Sequence, residues 1–236
     1  MKVAIVTGGT SGMGEATVKE LTRRGWQVAA MARSKTDEAF QGDVGDDADC
    51  RRVAKAVLER WGRIDALVNN AGTTKFVDHK NLDGLSAEDF QAIFRVNLVG
   101  PFQMIRACQG ALKESRGSVV NISSVAHLLG TGSSIAYAAS KAALNTMSFS
   151  LARALGPEIR VNIVSPGYVR TPWQVAAQGE QGSLDAERRY AERAPLKSAA
   201  CAEDVAEAVA WLVEGARSVT GEIIYIDGGM HIASPR

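Results

Sequence analysis

The chain has 236 residues, 46% of them hydrophobic and 22% charged, which suits one compact α/β domain with a substantial core and excludes a disordered chain. Its 27 basic and 26 acidic side chains leave a formal charge of +1, so no overall field draws it to nucleic acid or to an anionic membrane. Three scattered cysteines, Cys50, Cys108 and Cys201, lack the paired spacing of a zinc site or a disulfide framework, and no run approaches the ~20 apolar residues of a membrane span.

The apolar run from Val3 to Val6 enters a glycine turn too soon for a secretion signal, so a cytoplasmic protein is expected. Short β-rich runs predict strands at 2–7, 27–31, 66–69, 118–122, 160–165 and 223–226, with a very short one before Asp43. Apolar residues three and four apart predict helices over 15–24, 47–61, 87–96, 101–114, 137–157 and 202–214. This alternation points to a doubly wound, Rossmann-type parallel sheet of seven strands with helices on both faces, whose ligands lie outside the carboxyl ends of the strands. The stretch 166–200, with Pro172, Gly179, Gly182 and Pro195, reads as a long irregular segment, and such a segment is expected to serve as a substrate lid.

The first strand runs into Thr7-Gly8-Gly9-Thr10-Ser11-Gly12-Met13-Gly14 and then a helical pattern. Glycines permit a tight turn and close backbone approach, and a following helix offers free N–H groups and a positive dipole end to a pyrophosphate. The bare alternative is a structural glycine turn, against which the strand–turn–helix setting weighs. After the second strand comes Met31-Ala32-Arg33-Ser34, without the acidic residue that binds the ribose 2′-hydroxyl of NAD. A guanidinium there can pair with a 2′-phosphate, a charge-assisted bond worth about 1.5 to 3 kcal/mol, or roughly ten- to hundredfold in affinity. NADP(H) is therefore the preferred cofactor, with NAD(H) left open. Only nine residues separate Arg33 from Asp43, so the crossover helix between the second and third strands is expected to be missing or vestigial.

Tyr137-Ala138-Ala139-Ser140-Lys141 opens a helical pattern, and residues four apart lie one above the other on a helix. Phenol and ammonium then point the same way, and the positive charge is expected to lower the phenol's pKa from ~10 towards the range useful for proton transfer. Taken alone, this spacing is a common accident, equally at home in a surface pair.

The G-x-x-x-G-x-G turn, Asn69-Asn70-Ala71-Gly72, the Tyr137–Lys141 pair, Pro166-Gly167-Tyr168-Val169-Arg170-Thr171 and Asp227-Gly228-Gly229 together resemble the short-chain dehydrogenase/reductases. The resemblance spans essentially the whole chain and is strongest to the single-domain 3-oxoacyl-acyl-carrier-protein reductase group. It implies a tetrad of Asn97, Ser124, Tyr137 and Lys141. In it Tyr137 protonates the substrate oxygen during reduction, and Lys141 also holds the nicotinamide ribose. Ser124, thirteen residues before Tyr137, hydrogen-bonds that oxygen with Ser123 as its support, a pair between which a one-residue slip stays open. Asn97 bends a helix and holds a water leading protons to the lysine.

The resemblance also implies cofactor contacts from Gly8, Thr10, Ser11, Gly12, Met13 and Gly14 at the turn, and from Arg33 and Ser34 at the 2′-phosphate. Asp43 and Val44 are implied at the adenine, and Asn70, Ala71 and Gly72 beside the adenosine ribose. Pro166, Gly167, Val169 and Thr171 are implied at the nicotinamide. Ser11 stands where many members carry a second basic residue, and 198–202 departs from the family's Gly- and Pro-containing turn. The helices at 101–114 and 137–157 are expected to pack against a second subunit in a homotetramer or homodimer.

The expected activity is reversible hydride transfer between NADPH and a small-molecule carbonyl or secondary alcohol, a 3-oxoacyl thioester being one candidate. A catalytically silent NADPH-binding sensor or scaffold is the alternative, against which the intact tetrad argues. No metal is expected, because His79 and His231 lack companion ligands. His127 reads as a loop histidine before a substrate contact, and Trp173 as a pocket or a structural aromatic.

Overall fold

Val3 and Ile5 of the first strand face one apolar layer and Ala4 and Val6 the opposite one, all four buried, so the sheet they begin is covered on both sides. The computed structural model describes residues 1–34 and 39–233. In chain order it gives β1 (Val3–Thr7), α1 (Gly12–Arg23), β2 (Gln27–Ala32), β3 (Ala39–Gln41), α2 (Asp47–Trp61), β4 (Ala66–Asn69) and α3 (Ala87–Phe94). There follow α4 (Gly100–Ser115), β5 (Ser118–Ile122), α5 (Ala126–Leu129), α6 (Ile135–Leu155), β6 (Arg160–Pro166), α7 (Pro172–Arg193), α8 (Ala202–Glu214) and β7 (Ile223–Ile226).

The strands form one parallel seven-stranded sheet in the order β3-β2-β1-β4-β5-β6-β7. The order reverses between β1 and β4, which opens a crevice at their carboxyl ends. Leu21 of α1 and Val205 and Val209 of α8 fill one core; Val53 and Val57 of α2 with Ile105 and Leu112 of α4 fill the other. No helix of the described residues is long and apolar enough to cross a membrane.

Three local features differ from the sequence reading or refine it. The segment 166–200 is mostly helix and not an irregular loop, because α7 is rich in Gln, Ala, Glu and Arg, all good helix formers. Its glycines cost less than expected: Gly182 is absorbed, and only Gly179 (φ 74°, ψ 167°) leaves helical geometry. Secondly, the helices expected at 87–96 and 101–114 are joined without a loop by a π-helical turn over Arg95–Val99. Thirdly, β2 and β3 pair in parallel although parallel neighbours ordinarily need a connection of a dozen or more residues. The expected loss of the crossover helix falls on residues 35–38, outside the described residues.

Candidate active site

Thr7, at the carboxyl end of β1, organises the crevice. Its hydroxyl accepts from the backbone N–H groups of Asn70 and Ala71 at 3.1 and 3.0 Å, while the Asn70 amide donates back to the carbonyls of Thr7 and Gly8 at 3.0 and 3.2 Å. The loop after β4 is thereby tied to the glycine turn after β1. Gly14 lies beneath this junction rather than on the cavity wall, where a Cβ would stand 2.1 Å from the Gly8 carbonyl oxygen. Its role is packing, which explains why no other residue fits there.

Above the turn lies a cavity of about 410 Å³. Gly8, Thr10, Ser11, Gly12 and Met13 form its floor, and no side chain caps the first turn of α1. Arg33 and Ser34, both exposed, stand at one end with Asp43 and Val44. One carboxylate oxygen of Asp43 accepts from Gly45 N–H at 2.8 Å, and Val44 is buried. Asn70, Ala71 and Gly72 line the middle; Tyr137, Lys141 and Thr171 line the far end. Bare glycine keeps the wall low: a Cβ at Gly72 would reach within 3.8 Å of Lys141 Nζ, and one at Gly12 (φ 54°) would meet the Thr171 methyl at 3.2 Å. A long, shallow cradle of backbone N–H groups with a cation at one end fits a dinucleotide phosphate.

A second cavity, of about 610 Å³, shares Met13, Ser123, Tyr137, Thr171 and Trp173 with the first. Ser124 lies in this lobe, as do Pro166, Gly167 and Val169, which therefore face the second lobe and not the first. Val169 also pairs with Ala200 across an isolated bridge.

Tyr137 stands in the first turn of α6, where Ser134 caps the helix by accepting from Tyr137 N–H at 3.3 Å. Its phenol lies above the usual range because the surrounding protein strips it of water, while a hydrogen bond with Ser124 pulls the other way. Lys141 is 4% exposed, donates to the Ile122 carbonyl at 2.8 Å, and is brought down to about 8 by burial. The expectation that Lys141 lowers the phenol is not met in this arrangement. The ammonium sits 5.7 Å from the ring centroid, turned onto a backbone carbonyl, and it is burial that sets the direction at the phenol.

Of the two adjacent serines, Ser124 is the one that acts on the Tyr137 phenol; Ser123 is buried and directs its hydroxyl to the Lys141 carbonyl at 3.4 Å. Asn97, in the π turn and fully buried, accepts from Thr73 N–H at 2.8 Å and donates to the Thr73 carbonyl and Ser140 Oγ at 2.9 and 3.0 Å. It lies outside both cavity walls and clamps the loop next to Gly72. His127 engages the Ser124 carbonyl at 2.6 Å and Tyr225 at 3.3 Å, a structural role behind the serine.

Trp173 is a pocket aromatic, its ring 6.3 Å from that of Tyr137 and 5.8 Å from that of Phe76. Sequence reasoning missed Phe76, Gln174 and Gln178, which also line the second lobe; Phe76 is an aromatic in an irregular segment and leaves no periodic signal. Among the described residues no three His, Cys, Asp or Glu side chains converge as a metal site.

Residues 8–231 match a family model described as enoyl-(acyl carrier protein) reductase. A relative named as ketoacyl reductase 2 of the granaticin polyketide synthase of Streptomyces violaceoruber is 37% identical, over 98% of this chain and 96% of its own. A crystal structure described as a short-chain dehydrogenase/reductase from Burkholderia xenovorans superposes with a TM-score of 0.89 at 39% identity, covering 99% of both chains. ElxO, solved with NADP bound, superposes at 0.87 with 25% identity, over 97% of this chain and 98% of its own. With a sheet of the order described and matches over nearly its whole length, the chain belongs to the short-chain dehydrogenase/reductases, NAD(P)-dependent oxidoreductases.

Proposed function

We propose that the protein is an NADPH-preferring reductase of ketones that also runs in reverse on secondary alcohols. The observation that carries this reading is the meeting of Ser124, Tyr137 and Lys141 where the two cavities join. Gly12, Met13, Asn70 and Lys141 would hold a nicotinamide cofactor in the first lobe, and when bound it would supply the hydride. In reduction the carbonyl carbon gains that hydride, the C=O π pair moves to oxygen, and Tyr137 Oη delivers the proton that completes the alcohol. Ser124 Oγ holds the same oxygen by a hydrogen bond. The phenolate left on Tyr137 recovers its proton from solvent, its charge meanwhile favoured by the Lys141 ammonium.

Arg33 and Ser34 at the open end support 2′-phosphate recognition, and the bound NADP of ElxO supports the same preference. Asp43 and Val44 suit the adenine, and the Gly12–Met13 turn the pyrophosphate. Asn97 is a positioning residue, holding Thr73 and the bend of its helix. The first half of α7, which carries Trp173, Gln174 and Gln178, acts as the lid. Reduction of an enoyl thioester is the second reading, from the description of the matched family. There the proton goes to carbon, and a serine and a tyrosine sharing one oxygen have less to do.

The test is nicotinamide absorbance with NADPH and, separately, NADH against ketones, 3-oxoacyl thioesters and 2-enoyl thioesters. Ketone turnover with NADPH is expected, and Tyr137→Phe is expected to lower it by about 10² to 10⁴-fold while cofactor affinity stays within a few-fold. NADPH binding without turnover of any carbonyl would point to the sensor alternative; preferential enoyl reduction would point to the second reading.

A further inference from the structure

The second lobe is walled by uncharged groups. No Lys, Arg or His lines it, and its one carboxylate, Asp78, is exposed. Three cations are adjacent in sequence to its wall but outside its lining: Lys75 pairs with Asp89 at 2.7 Å, Arg170 pairs with Glu180 and donates to Ser183 Oγ, and Arg189, beside Tyr190, is exposed. An anionic group entering here would give up water and meet a carboxylate in place of a counter-ion. Neutral hydrogen-bonding groups are present in Gln174 and Gln178, themselves joined at 2.6 Å.

The wall is also aromatic. The Trp173 ring lies between those of Phe76 and Tyr137, at 5.8 and 6.3 Å, tilted 57° and 49° to them. Both Phe76 and Trp173 remain more than 40% exposed, so each has a ring face still to cover. These spacings and tilts suit a further ring added to the cluster beside the phenol. A flexible aliphatic chain fills such a wall less well, because it loses rotamer freedom without gaining ring contacts.

We infer that this lobe takes an uncharged aromatic ketone of one or two fused rings, free of carboxylate and phosphate, with Trp173 and Phe76 as the residues that select it. The inference rests on the reductase reading for its chemistry but not for its binding. The chemistry is the transfer given above: NADPH is oxidised, the aryl ketone gains hydride at carbon and the Tyr137 proton at oxygen, and a benzylic alcohol leaves.

The experiment is calorimetric titration of the protein, alone and with NADP, using 1-tetralone, its ring carboxylate and 2-octanone. Tetralone is expected to bind best. Its carboxylate is expected to bind about thirtyfold or more weakly, from the cost of an unpaired buried charge, and 2-octanone weaker than tetralone. Trp173→Ala is expected to lower tetralone affinity about fivefold or more. Gln178→Lys, at an exposed helical position, is expected to recover affinity for the carboxylate alone. Equal affinity for tetralone and its carboxylate, no binding of tetralone, or affinity untouched by Trp173→Ala overturns the inference. Tight, selective binding of tetralone without oxidation of NADPH leaves it standing and overturns the reductase reading instead.

Discussion

Lys141 shows what the site costs at the scale of one residue. Its ammonium is buried with a backbone carbonyl as its hydrogen-bond partner, and burial has brought it down to about 8. A neutral side chain of similar length removes an under-solvated charge, so Lys141→Met is expected to end turnover yet raise the melting temperature, by roughly 2 to 4 °C for about 1 kcal/mol. A scanning fluorimetry trace with a lower midpoint would contradict this. As pH rises through about 8 the lysine loses its proton and with it the field that favours phenolate, so kcat/KM for reduction should fall on that limb. Lys141→Arg, which cannot titrate in this range, should move the limb upward if it retains activity. Arg33→Asp should shift preference towards NADH by about tenfold or more, read as the ratio of kcat/KM for the two cofactors. The tyrosine–lysine spacing was legible in the sequence because a helix imposes it. That the lysine turns to Ile122 was not legible, since it depends on a strand nineteen residues earlier in the chain.

Among the elements, β4, β5, α2 and α8 were legible to the residue, because each is a clean apolar run or a capped amphipathic pattern: Asp46 caps α2 by accepting from Ala48 N–H, and Gly62 ends it in the left-handed region. α7 was hidden because Pro172, Gly179 and Gly182 are residues that ordinarily interrupt a helix. Pro172 occupies the first turn, where it breaks nothing, and only one glycine bends the chain. The π turn was hidden because one extra residue in a helix leaves the apolar pattern almost unchanged; its sign was Asn97, a buried amide in mid-helix. Gly179 carries the load of the lid's shape. Its φ of 74° with ψ of 167° is open to glycine alone, so Gly179→Ala is expected to cost about 1 to 3 kcal/mol locally. Because nothing lies within 4 Å of an added Cβ there, the effect should come from backbone strain and displace Trp173 and Gln178. Steady-state kinetics should then show a raised KM for ketone with an unchanged dissociation constant for NADPH; a change confined to NADPH would place the lid elsewhere.

For the molecule as a whole, a core on each face of the sheet follows from residues that alternate along β1, and the switch between β1 and β4 follows from the strand order. Assembly does not follow in that way, because a surface apolar residue looks the same in sequence whether it meets water or a subunit. Val99 at the end of the π turn, Phe102 at the start of α4 and Ile135 at the start of α6 are each at least 36% exposed. If these helices meet a second copy, light scattering after size exclusion should give a dimer or tetramer, and Phe102→Glu should shift it towards monomer. A wild-type monomer at micromolar concentration would end that expectation.

Trp173 borders both cavities and is one of four tryptophans in the chain. Indole emission overlaps the absorption of a reduced nicotinamide, so occupancy of the first lobe should quench Trp173 and light the cofactor by energy transfer. Closure of the lid over a ketone should alter the same signal a second time. The protein thus carries its own optical reporter for both binding events, and Trp173→Phe supplies the blank against which the other three indoles are subtracted.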